Sequence, residues 1–219
     1  MLKNKYIKLA SILLMLCLIT TCGVCGTFAK YTTGGTATDS ARVAKWGVNV
    51  TVDGDNAFKA AYNSTVASVD GTTKVVAPGT GNDLVNVTIT GTPEVAVAIT
   101  YEPSLTLTGW TDGANEYCPI IFTVGDDTYG MTGMRDSNGD LADYQYSSVD
   151  NLIDGVINAI EAKNGEYAPG TSLDGKANIS TSWDWAFTGN SDINDTILGT
   201  AEISPSIEFS LIVSVTQID

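Results

Sequence analysis

From Ser206 to Thr216 the chain alternates without a break. Ile207, Phe209, Leu211, Val213 and Val215 fall on one side, and Ser206, Glu208, Ser210, Ile212, Ser214 and Thr216 on the other. Successive side chains of an extended strand point to opposite faces, so this pattern predicts a long strand with one buried face. The same period recurs in Trp46, Val48, Val50 and Val52, in Val85, Val87 and Ile89, and in Val95, Val97, Ile99 and Tyr101. Shorter candidates are Leu105–Trp110, Cys118–Val124, Asp127–Met131 and Asn178–Phe187. Asp53-Gly54, Asp70-Gly71, Ala77-Pro78-Gly79, Gly91-Thr92-Pro93, Asp112-Gly113 and Asn138-Gly139 separate these runs with residues that favour chain reversal. Strands with one wet face must bury the other against a second layer, so the expected fold is mainly β: an antiparallel two-sheet sandwich.

One stretch departs from this period. Val149, Leu152, Ile153, Val156, Ile157 and Ile160 recur at helical spacing, which predicts a helix over about 148–163 inserted between strands. Ser148 suits the N-cap, Asp150 the first turn, Lys163 the last turn and Gly165 the C-cap. A second short helical turn is expected from Asp192 to Leu198.

The amino end reads as an export signal. Lys3, Lys5 and Lys8 precede Leu9–Ala29, which carries no charge and is densest in apolar residues up to Ile19. Thr27 and Ala29 place small residues at the −3 and −1 positions of a cleavage site, so 1–29 is expected to be removed. The run is also long enough for an uncleaved anchor. The remaining 190 residues, 30–219, suit a single domain. Of the 11 basic residues, three lie in the signal, which leaves eight against all 25 acidic ones and a formal charge of −17. Such a surface repels nucleic acid and anionic lipid, so contact with a membrane is expected only through the signal segment.

Cys17, Cys22 and Cys25 belong to the signal, and Cys118 stands alone in an apolar setting, which predicts an inert buried thiol. The chain has no histidine, which excludes serine triads, Cys-His dyads and His-ligated zinc. Carboxylate-only hydrolysis needs a defined acid pair, and none stands out; no enzyme activity and no cofactor are expected. Asp136-Ser-Asn-Gly-Asp140 begins like a calcium loop. Leu141 and Ser147 replace the glycine and glutamate that an EF-hand requires, so a polar turn is expected, with Asp136, Asn138, Asp140 and Asp143 the candidate calcium ligands.

Gly26-Thr-Phe-Ala-Lys-Tyr-Thr followed by Ser40-Ala-Arg-Val-Ala-Lys-Trp-Gly-Val48 resembles the signal junction and first strand of the TasA/camelysin family of secreted proteins. Val76-Ala-Pro-Gly79 with Val85–Thr92, Trp183-Asp-Trp-Ala-Phe187 with Asp192–Gly199, and Ser214–Asp219 are similar to further elements of that family, in the same order. Residues 111–167 match none of it and are expected to be an insertion. The resemblance implies a jelly-roll-like sandwich, processing by a dedicated signal peptidase, secretion to the cell surface or a biofilm matrix, and assembly into fibres. In such fibres the mature amino-terminal segment completes the sheet of a neighbouring subunit. The matching segment here is 30–39, with Lys30, Tyr31, Thr32 and Thr33 as candidate self-assembly residues. The expected partners are therefore further copies or other matrix subunits. The alternative is a monomeric adhesin that binds a glycan or protein through 111–167, for which exposed aromatics in Trp110–Tyr117 or Tyr144–Tyr146 would be the platform.

Overall fold

The structure is a computed structural model that describes residues 3–25 and 39–219, apart from 64 and 65. It divides into two units, Met1–Arg42 and Val43–Asp219. The first contains one helix, α1 (Lys3–Cys25), whose apolar residues are not gathered on one face. Among the described residues no helix is long and apolar enough to cross a membrane.

The second unit is mainly β. Its elements are β1 (Val48–Asp53), β2 (Ala61–Tyr62), β3 (Val66–Ala67), β4 (Thr80–Gly91), β5 (Val97–Thr108), β6 (Ile120–Val124), β7 (Asp127–Met131), β8 (Tyr144–Tyr146), α2 (Val149–Glu161), β9 (Gly165–Tyr167), β10 (Ile179–Trp185), α3 (Asp192–Thr200) and β11 (Ser206–Gln217). A six-stranded sheet has the order β1-β4-β10-β6-β7-β8 and a three-stranded sheet the order β11-β5-β9; β2 and β3 form a small hairpin. All pairs are antiparallel except β7 with β8. The two inner faces meet in one core that includes Leu84, Val87, Ile89, Ile99, Tyr101, Ile120, Phe122 and Trp183.

The segment 111–167 supplies β6, β7 and β8 to the larger sheet, β9 to the smaller one, and α2. The helix packs on β5, β6, β7 and β8, with Val149, Leu152, Val156 and Ile160 buried. Ser148 caps it as the sequence suggests, its hydroxyl accepting from the Asn151 N–H at 3.2 Å. The carboxyl end differs from expectation. Ala162 is the C-cap and Gly165 already opens β9, because two turns close the helix before the chain extends.

Two expected strands, 95–101 and 105–110, are one. Pro103, which lies between them, sits inside β5 opposite Leu211. Tyr101 donates its N–H to the Asn164 side chain on the β9 side, at 2.6 Å. By period two, residue 103 turns its nitrogen the same way, where β9 (paired only to Val97–Ile99) no longer reaches. The missing N–H therefore costs no ladder bond.

Candidate assembly surface

Cross-strand partners share a face of a sheet, so registers show where each strand points. In β11, Ile207, Phe209, Leu211, Val213 and Val215 stand opposite Leu107, Leu105, Pro103, Tyr101 and Ile99. All of those partners but Pro103 are buried core residues. The inner face of β11 is thus the apolar one, as its alternation suggests, but its side chains are only half-buried. In β1, Val50 and Val52 stand opposite Ile89 and Val87, which are 0 % and 1 % exposed. Val50 and Val52 point to the same inner side yet are 40 % and 50 % exposed. The expectation that Val50 and Val52 form a buried face is therefore corrected. Their register is right and the layer opposite them is missing.

These two deficits belong to one flank. β1 pairs with the Asn86–Gly91 half of β4, and the chain passes from there directly into the Val97 end of β5, which carries Val213 and Val215 of β11. The opposite flank is closed by α2 over β6, β7 and β8. Among the described residues β1 and β11 are each the last strand of their sheet, and Val50, Val52 and the inward side chains of β11 are partly exposed.

Among the described residues the outer edge of β11 has no partner strand, and its own sequence carries little that would protect it from pairing. All twelve of its residues run in unbroken register with β5, without a bulge. It contains no proline and no lysine, and Glu208 is its one charge. Native edges are normally blunted by charge, proline, bulges or brevity.

At the Ser206 end the flank deepens into a cavity of about 520 Å³, lined by Phe58, Val75, Val76, Trp110, Trp185, Leu198 and Ile207 among others. Trp110 meets Trp185 edge-on at 5.6 Å between ring centres and donates its indole N–H to the Ser206 carbonyl at 2.8 Å. Trp183, one residue pair along β10, is fully buried and donates to the Ala57 carbonyl at 2.9 Å, which fastens the 54–76 connection across the end of the sheet.

Trp110 and Tyr117, weighed as exposed aromatics, are buried instead. Tyr117 donates to the Asp195 carboxylate at 2.7 Å. Burial raises the pKa of Asp195, while Tyr117 and the neighbouring Trp185 indole oppose that rise. The Trp185 N–H closes no bond of normal geometry. Tyr144 does stand exposed, stacked on Tyr129 with ring centres 4.9 Å apart.

Of the candidate calcium ligands, Asp136 and Asn138 meet directly, the Asn138 amide donating to Asp136 Oδ2 at 3.2 Å. Asp136 turns its Oδ1 to the N–H groups of Asn138 and Asp140, both at 2.9 Å, so its carboxylate closes the turn itself. Asp143 is committed to Thr128 on β7, accepting from its N–H at 3.0 Å and its hydroxyl at 2.8 Å. Among the described residues no group of three acidic or cysteine side chains gathers closely enough to hold a metal ion. Cys118 is fully buried, and burial pushes its thiol up to about 12. Thr27, Ala29, Lys30, Tyr31, Thr32 and Thr33 lie outside the described residues.

The chain matches no known family model and shows no significant similarity to any curated protein.

Proposed function

We propose that the protein is an exported structural subunit, secreted to the cell surface or a biofilm matrix. Its mature form assembles into fibres by giving an extended segment, 30–39, to the next copy. The observation that supports this is the β1/β11 flank, where an unprotected twelve-residue edge borders apolar side chains that their own sheet leaves half-covered. Strand addition would satisfy the free N–H and C=O groups of that edge and remove those side chains from water. The lack of any histidine and the strongly acidic surface favour a structural role over catalysis or nucleic-acid binding. A jelly-roll arrangement and cleavage after Ala29 belong to the same proposal.

Electron microscopy and sedimentation of the exported protein, with and without 30–39, test it. Regular fibres from the intact chain and a folded monomer from the truncated one are expected. An intact protein that stays monomeric at high concentration in salt would refute the proposal. A second reading, a monomeric glycan-binding module, is favoured by the Tyr144 ring, whose support on Tyr129 makes it a rigid aromatic surface.

A further inference from the structure

The cavity of about 520 Å³ at the start of β11 differs from the rest of the molecule in the sign of its charge. We propose that it binds a small organic anion with an aromatic body, an aryl carboxylate or sulfonate in chemical class. This is a binding activity separate from assembly and stands or falls without it.

The walls come from distant parts of the chain. Trp110 follows β5, Trp185 ends β10, Leu198 lies in α3, Ile207 lies in β11 and Phe58 belongs to the 54–76 connection. Trp110, Trp185 and Leu198 are buried and form the floor. Trp110 is held by its bond to the Ser206 carbonyl and its edge-on contact with Trp185, and Phe58 by a tilted contact with Trp183 at 5.5 Å between ring centres. The rings are therefore in place before anything binds. Small molecules occupy pockets of roughly 300–1,000 Å³ with apolar, aromatic walls and a few polar groups. An aromatic guest gains ring-edge and ring-face contacts on such walls that an aliphatic guest does not.

The charge of the guest follows from the rim. The sequence holds 25 acidic residues against 11 basic ones. Among the described residues that line the cavity there is no acid, and Lys74 carries the only charge. Lys74 stands exposed, as do Thr73 and Ser204. Its ammonium donates to the Asp55 carbonyl at 3.4 Å, a long bond, and no carboxylate pairs with it among the described residues. An anionic group at the rim would meet this cation and the neighbouring hydroxyls while its ring lies on the floor. The acidic remainder of the surface repels the same anion. A neutral guest could use the walls but would gain nothing from Lys74.

Two fluorescent probes separate body from charge: anilinonaphthalene sulfonate, and phenylnaphthylamine, the same ring system without the sulfonate. Titrated into dilute exported protein at low ionic strength, the sulfonate is expected to bind saturably, although it shares the sign of the protein's charge. Lys74→Gln should weaken it about threefold and leave phenylnaphthylamine unchanged, and Lys163→Gln, beyond α2, should leave both unchanged. Both lysines are exposed, so neither change threatens the fold. Phe58→Leu keeps the wall apolar but removes one ring, and should weaken both probes at least about twofold. No saturable binding of the sulfonate by the folded protein, or an unchanged sulfonate affinity in Lys74→Gln, overturns the proposal. So does an equal loss of both probes in Lys74→Gln, which would make the lysine part of the wall and not a partner for charge. Undiminished binding of both probes by Phe58→Leu overturns the aromatic assignment.

Discussion

Replacing Val213 by aspartate, compared with the same change at Ile212, separates the two faces of β11. Val213 stands opposite the buried Tyr101 and packs against the core; Ile212 stands opposite Glu102 and is 62 % exposed. Fully burying a valine is worth about 1.5–3 kcal/mol, so a half-buried one forfeits about 1 kcal/mol. The new carboxylate would sit beside Tyr101 with water reachable only through the open flank, which adds about 1–2 kcal/mol rather than the several of a sealed interior. Together Val213→Asp is expected to cost about 2–3 kcal/mol. For a domain of this size that lowers Tm by roughly 5–10 °C. Ile212→Asp leaves the core untouched but sets a carboxylate opposite Glu102 in an exposed strand position, and should cost about 1 kcal/mol. Thermal unfolding of both variants followed by circular dichroism, in dilute protein at neutral pH, reads the difference. Equal losses, or a greater loss at Ile212, would refute the strand's assigned facing and with it the open flank.

Other outcomes follow from single sites. Gly155→Ala in α2, a change that ordinarily favours a helix, should destabilise by about 1–3 kcal/mol, because the added methyl would meet the Tyr146 ring; a higher melting temperature would contradict that packing. Cys118 should resist alkylation in the native protein at pH 8 and react once denatured, and rapid native labelling would show that it is not sealed in the core. Asp195 has its folded pKa raised above the ordinary value of about 3.9, so its ionisation works against the fold: the contribution is fully present below that value and is lost as pH rises through the folded one. Asp195→Asn, which can still accept from Tyr117, should therefore gain on the parent as pH rises from 4 to 7; a variant that instead loses ground over that range in a series of melting curves would reverse the sign. Salt should promote assembly, since ions screen repulsion between the acidic surfaces beyond about 8 Å at physiological strength, and light scattering that falls with added salt would exclude this.

Periodicity carried the sequence a long way where a residue's neighbours are local. The alternation of Ile207–Val215 fixes which side chains of β11 face inward, and the spacing from Val149 to Ile160 finds α2 and its cap. What it does not carry is whether the second layer extends far enough to cover an inward face. Val50 and Val52 alternate as well as Val85 and Val87 do, yet only the latter are buried, because coverage depends on sheet order and not on the strand's own residues. The cavity was hidden for the same reason. Trp110, Trp185 and Ile207 are far apart in the chain and meet only because β5 ends beside β10 and β11 begins there. Pro103 is accommodated inside β5 because a proline breaks a ladder only on the side its nitrogen faces.

The unprotected edge and the acidic surface make sense as a pair. A twelve-residue strand with one charge invites indiscriminate pairing, and elsewhere such an edge would be guarded by its own lysines or bulges. On the proposed assembly, protection would come from the rest of the domain, since 30–219 as a whole carries a formal charge of −17 that would hold whole subunits apart. A segment of ten residues bearing one lysine and one aspartate is neutral and can cross that field where a folded domain cannot. Under that proposal the edge is closed to the broad surface of another subunit and open to a thin strand of no net charge. That selectivity is what the proposed head-to-tail assembly would require, and it would come from distributing charge away from two short stretches, 30–39 and Ser206–Gln217.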